Sequence, residues 1–147
     1  MVAVDMSADE IDDLLGRQGV GTLSLADDDE TYAIPESFGY DGEHLYFQLV
    51  RNGESRKMRF IETTGTATFT VWVEQPARSV VVRGTIEPVP AGDEMAASNA
   101  IAENATLPTL NVVPDSTVDQ LEMDYYRLVP DELTGRKFGA EPEPIAD

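Results

Sequence analysis

The sequence predicts a mainly β fold, a small antiparallel barrel of six strands with helices at its periphery. Three observations predict it. Segments rich in Val, Thr and aromatic residues recur along the chain, with alternating or β-branched character and turn signals between them. Helical patterns fall only at the start, after the third strand and after the fifth. A sheet of mostly antiparallel strands also exposes two edges unless it closes on itself.

The elements follow in order. Ser7-Ala8-Asp9-Glu10 is a capping-box pattern, and Ile11, Leu14 and Leu15 share one helical face, so a helix spans about residues 7–17 and ends at Gly19 and Gly21. Thr22–Ala26 alternates apolar and polar side chains as a half-buried strand. Asp27–Glu30 turns the chain, and Thr31–Phe38 returns as a second strand with Pro35 at an irregular or edge position. Tyr40-Asp41-Gly42 signals a hairpin, since Asp-Gly suits a type I′ turn, and Leu45–Leu49 is the third strand. Ser55–Glu62 is a short helix. Thr64–Val73 and Ser79–Val89 are β-rich runs joined at Gln75-Pro76-Ala77. Asp93–Asn104 is helical by its alanines, Asp115–Glu122 is a shorter helix after Pro114, and Tyr125–Val129 is the last strand. No repeat or linker divides the chain, which reads as one domain over residues 1–147 with a flexible acidic tail at 141–147.

Composition narrows the function classes. Hydrophobic residues at 41% support a core despite the charge. No apolar run approaches a membrane span and no signal peptide is recognisable, so the expectation is a soluble cytoplasmic protein. Asp and Glu total 28 against 10 Lys and Arg, a formal net charge of -18, and the acids are spread along the whole chain. That spread fits a surface adapted to a high-salt cytoplasm, where the Debye length is about 3 Å, and a basic partner is the other reading. Nucleic acid is disfavoured, because its phosphates would meet a negative surface. With no cysteine there is no disulfide, thiolate nucleophile or thiolate metal site. His44 is the only histidine, and it reads as a strand residue beside a turn rather than a catalytic base. The acids lack a calcium-loop spacing, and no phosphate-loop or dinucleotide fingerprint is present.

The exception to the acidity is LVRNGESRKMRF, where Arg51, Arg56, Lys57 and Arg59, four of the ten cations, lie together. Ser55-Arg56-Lys57 opens a helix, and a helix start with cations and a hydroxyl suits a phosphate. The residues also admit a plain reading: Arg51 and Arg59 pair with surface acids, and Ser55 only caps the helix.

The order of segments resembles the FMN-binding split barrel of the pyridoxamine 5′-phosphate oxidase superfamily. The residues that carry the resemblance are Gly19–Leu23, Tyr32–Gly42, Leu45-Tyr46-Phe47, Ser55-Arg56-Lys57, Thr66–Trp72, Ser79–Gly84 and Leu133–Lys137. Together they span about residues 7–138. The resemblance implies a six-stranded antiparallel split β-barrel with peripheral helices, assembled as a homodimer with the cofactor at the interface and a small-molecule substrate. It implies that Arg56 and Lys57, with Ser55 beside them, hold the FMN phosphate. By the same resemblance Tyr32, Ala33, Ile34, Pro35, Glu36 and Ser37 lie along the flavin, and Phe47 and Gln48 contact it from the next strand. Ser79 opens the long strand near the cofactor, and Trp72 lies near the ring, in the core or at the dimer interface. The composition adds the expectation of a haloarchaeal member.

True vitamin B6 oxidases close with a segment whose arginine and histidine hold substrate. Here Arg136-Lys137-Phe138 is followed by an acidic, Pro-containing tail, and the one histidine, His44, is far away in sequence. Phe47–Val50 also lacks the histidine of nitroimidazole-reductase-like relatives. The expectation is therefore an FMN-dependent oxidoreductase other than a vitamin B6 oxidase, with no metal. A flavin storage or sensing module, a deazaflavin (F420) reductase, and more distantly a heme protein are the alternatives.

Overall fold

Eight strands form one antiparallel sheet in the computed structural model, which describes residues 2–50, 55–110, 112, 114, 115, 117, 119 and 122–139. In chain order the elements are β1 (Val2–Asp5), α1 (Ala8–Arg17), β2 (Val20–Asp27), β3 (Glu30–Ser37), β4 (Gly39–Tyr40), β5 (Leu45–Val50), α2 (Ser55–Thr63), β6 (Ala67–Glu74), β7 (Ala77–Pro88), α3 (Glu94–Asn104) and β8 (Met123–Gly139). The hydrogen-bonded order is β3-β2-β6-β7-β8-β5-β4. β8 serves as the spine: β7 pairs along one side, while β5 and β1 pair with opposite ends of the other.

The architecture is the mainly β split barrel that the sequence predicts, with two corrections. Six strands become eight, because β1 pairs with the far end of β8 and β4 makes a two-residue ladder with β5. The last strand runs far past Val129, and Leu133–Lys137 lies within it. The second correction concerns closure. No ladder joins β3 to β4 or β5 among the described residues, so hydrogen bonds do not close the barrel. The two ends of the sheet are instead consecutive strands tied covalently through Phe38. That residue is fully buried with its ring 4.9 Å from Phe69. Pro35 lies on β3, an edge strand, where its missing N–H removes no ladder bond on the open side.

Local signals account for most elements. The Asp27–Glu30 hairpin turns at Asp28, which holds φ 56°, and Glu74 pairs with Ala77 around a cis Gln75-Pro76 bond. The Asp-Gly turn differs from type I′, which needs positive φ at both central residues. Gly42 has φ +95° but Asp41 does not, and Asp41 Oδ1 accepts the N–H groups of Glu43 (2.9 Å) and His44 (2.8 Å) in a longer loop. The helix expected over Asp115–Glu122 falls largely outside the described residues, as do Arg51 and the tail at 141–147. Gly39 permits the packing of α3 on β4: a Cβ there would stand 2.3 Å from the backbone of Ala100 and Ile101. Among the described residues no helix is long and apolar enough to cross a membrane.

The capping box forms as read. Ser7 Oγ accepts the Glu10 N–H (3.2 Å) and Glu10 Oε1 accepts the Ser7 N–H (3.0 Å). Glu10 Oε2 also meets Lys137 Nζ at 2.5 Å, which pins the start of α1 to β8. The Lys137 contact, with the Ser7 N–H, draws the Glu10 carboxyl from 4.5 down to about 2. A depressed carboxylate stabilises the fold above its unfolded pKa, and this contribution is lost as pH falls from about 4.5 towards 2. Glu10→Gln should therefore lower the melting temperature at neutral pH and flatten its decline over that acid range, as read by circular dichroism melts. An unchanged acid profile would remove Glu10 from the account.

Candidate functional site

The pleat of β3 sorts its side chains into two sets. Thr31, Ala33 and Pro35 are exposed, Tyr32 is half-buried, and Ile34 and Glu36 point into the core. The turn of α2 sorts its own: Lys57, Phe60 and Ile61 are buried, while Arg56 and Arg59 are exposed. Successive helix residues lie about 100° apart, so the two cations of Arg56-Lys57 are delivered to different sides. One side is a surface groove and the other is the interior.

The groove between β3 and α2 has a volume of about 560 Å³ and is lined by Glu30, Thr31, Tyr32, Ala33, Arg56, Arg59 and Phe60. Tyr32 and Phe60 meet edge to face at 5.3 Å, and the Arg59 guanidinium lies 4.7 Å over the Phe60 ring. Arg59 also pairs with Glu30 (3.1 Å) and more distantly with Asp27 (3.9 Å). Two arginines against one glutamate leave this lining net positive, in a chain of formal net charge -18. A groove of this size suits a small organic ligand, and its charge suits an anionic one.

In the interior, Glu36 and Lys57 are both fully buried, with Lys57 Nζ 3.6 Å from Glu36 Oε2. Thr109 donates from Oγ1 to Glu36 Oε1 at 3.0 Å, and the Leu110 N–H bonds to the same carboxylate. Burial pushes the Glu36 carboxyl above its ordinary pKa, while the Lys57 ammonium and the Thr109 hydroxyl hold it down. Ser37 Oγ is also buried and has no hydrogen-bond partner among the described residues. Removing one member of a buried ion pair typically costs about 3–5 kcal/mol, because the other charge is stranded.

The remaining predicted residues are distributed over other surfaces. Pro35 and Trp72 border a hollow of about 220 Å³ with Val20 and Thr70, and Trp72 and Ser79, paired across β6 and β7, border one of about 290 Å³ with Arg136 and Phe138. Trp72 is 61% exposed, which removes the core reading for it. Gln48 faces a third hollow of about 360 Å³ with Ser98, Ile101 and Tyr125. Phe47 is fully buried with its ring 5.1 Å from Phe69, and Ile34 is core. Ser55 supplies the first residue of α2. Of the predicted set, the structure brings Tyr32, Ala33 and Arg56 together at the groove and Glu36 and Lys57 together in the interior.

Thr109 was not legible as a site residue, and Glu36 was expected along the flavin but not as a buried partner of Lys57. A signal for Glu36 did exist: alternation from Ile34 puts residue 36 inward, and an inward carboxylate demands a cation. His44 stays with its turn, its Nδ1 3.4 Å from the Tyr46 hydroxyl, which donates to Asp41 at 2.8 Å. Burial and the Asp41 carboxylate raise Tyr46 to about 12, so its proton is not available near neutral pH. Among the described residues no group of three or more His, Asp or Glu is placed to hold a metal.

The sequence profile of the family described as pyridoxamine 5′-phosphate oxidase matches residues 7–137. The chain is similar in structure to a Corynebacterium glutamicum protein provisionally assigned as pyridoxamine 5′-phosphate oxidase. The two are 27% identical, with a TM-score of 0.69 over 95% of this chain and 100% of that one. It is also similar to an FAD-binding protein from Mesorhizobium loti, at 22% identity and a TM-score of 0.74 over 95% of this chain and 99% of the other. An FAD and heme binding protein from Mycobacterium smegmatis matches at 20% identity and a TM-score of 0.67, over 97% and 76% of the two chains. The last two likenesses speak to the fold alone. No curated protein matches the chain.

Thr109→Val keeps the side-chain shape and removes the hydroxyl that meets the buried carboxylate. A hydrogen bond to a charged group is worth roughly 1.5–3 kcal/mol, and urea denaturation should show a loss of that size with an unchanged m-value.

Proposed function

The chain belongs to the pyridoxamine 5′-phosphate oxidase family, and we propose that it binds a flavin, FMN, and serves as a flavin-dependent oxidoreductase other than a vitamin B6 oxidase. The observation that carries this reading is the net-positive groove of β3 and α2 with exposed Arg56 at its wall. The donor set fits the cofactor. Arg56, at the first turn of α2, offers a planar guanidinium to the phosphate beside the N–H groups of the helix start. The Tyr32–Phe60 ring pair supplies an apolar wall, and the small outward residues Ala33 and Pro35 leave the outer face of β3 open to a flat ring system.

A bound flavin supplies the hydride or electron transfer, while the protein binds it, orients it and sets its electrostatics. The absence of a histidine from β8 supports the separation from vitamin B6 oxidation. So does the engagement of His44 with Tyr46, away from the groove. Val20, Trp72 and Phe138 are exposed apolar residues, joined through the two hollows that share Trp72. We assign that face to a second copy of the chain, because exposed apolar residues of this size gain most from being covered.

Protein purified in molar salt should be yellow, and mass spectrometry of the small molecule released on denaturation should give FMN. Release of FAD would overturn FMN while keeping the flavin. A deazaflavin or heme would replace the flavin, and colourless protein that gains no flavin on reconstitution would end this reading. Arg56→Ala should weaken FMN binding roughly ten- to hundredfold, the equivalent of about 1.5–3 kcal/mol, with the melting temperature little changed.

Sedimentation should give a dimer for the wild type and a shift towards monomer for Trp72→Ala. A wild-type monomer would remove the second copy.

A further inference from the structure

We propose that Lys57 is a positioning residue and not a phosphate ligand: its interior ion pair with Glu36 holds α2 against β3 and so sets where Arg56 stands in the groove. The flavin half of this statement rests on the function proposed above, whereas the ion pair stands on geometry alone.

Three observations point there. Lys57 shares the buried face of α2 with Phe60 and Ile61, while Arg56, one residue earlier, is exposed on the groove. Both charged side chains of the pair are fully buried, at 0% exposure each. Were the ammonium drawn out to a surface phosphate, the Glu36 carboxylate would be left in the core with, among the described residues, the Thr109 hydroxyl and the Leu110 N–H. Finally, the carboxylate is a meeting point: Glu36 comes from β3, Lys57 from α2, and Thr109 from the segment after α3. Three stretches distant in sequence are fastened at one atom group, and two of them, β3 and α2, also line the groove.

The distinction matters because the two readings of adjacent cations predict opposite chemistry. A phosphate ligand is solvent-reachable in the cofactor-free protein and becomes shielded on binding. A positioning residue is shielded throughout. Lys57 and Lys137 are the only lysines in the chain, so amine acetylation separates them cleanly.

The test uses the wild-type protein, acetylated with and without added FMN and read by peptide mass spectrometry. Lys57 should label at least about tenfold more slowly than the half-exposed Lys137 in both states, because it reacts only through opening of the fold. Fast labelling of Lys57 that FMN suppresses would overturn the proposal. If no flavin binds at all, the proposed function fails, while slow labelling of Lys57 in the same sample still supports the ion pair.

A second measurement uses variants. Lys57→Met alone should lower the melting temperature and weaken FMN binding, because the stranded Glu36 displaces α2 and with it Arg56. Adding Glu36→Leu, which rejoins α2 to β3 by apolar contact, should restore both, with FMN affinity within about threefold of wild type. A double variant that melts like wild type but loses FMN as Arg56→Ala does would make Lys57 a ligand and sink the idea.

Discussion

A carboxylate in the core of an apolar barrel must have a cation beside it, and this constraint organises the candidate site. The pleat of β3 gives Glu36 no route to the surface, since its neighbours in phase, Tyr32 and Ile34, face the same way. Lys57 meets the demand from α2 and Thr109 completes it from beyond α3. An isolated buried charge would be neutralised or expelled, so the pair fixes the register of α2 on β3 more strictly than Phe60 and Ile61 alone would. The position of Arg56 and the shape of the groove follow from that register. A buried polar pair is poor evidence for added stability, but it penalises every arrangement in which the partners do not meet.

The surface follows a different logic. A chain with formal net charge -18 carries acid along its whole length, and a groove lined by two arginines and one glutamate is locally more basic than that average. Arg59 is engaged with Glu30 and Asp27, and it also covers Phe60. It thereby shapes the apolar wall and lowers the acidic charge near the groove. Salt at molar strength screens the repulsion between exposed acids and weakens exposed ion pairs alike, whereas the Glu36–Lys57 contact is out of its reach. The molecule thus places its geometric constraint where solvent composition does not alter it.

Much of the fold was legible because its signals are local. Ser7 and Glu10 form the capping box that their spacing announces, Asp27–Glu30 and Gln75-Pro76 turn where expected, and Pro35 lies on an edge strand. β1 and the far half of β8 were not legible, because Val2 pairs with Gly139 and no window of sequence holds both. The Asp-Gly turn misled for a related reason: Asp41 uses its carboxylate to bind two backbone N–H groups, an option that the dipeptide shares with type I′ geometry.

The sequence by itself determined the class of fold, the order of six of its eight strands and the one cationic segment in an acidic chain, all carried by periodicity, caps and composition within a few residues. Only the tertiary structure decided how Arg56 and Lys57 divide, because helical phase becomes inside and outside only once α2 has a sheet to lie on. It also decided that Trp72 is exposed while Phe47 is core, since each side of a strand acquires its meaning from what packs against it. Burial is a relation between distant segments. No single segment carries it.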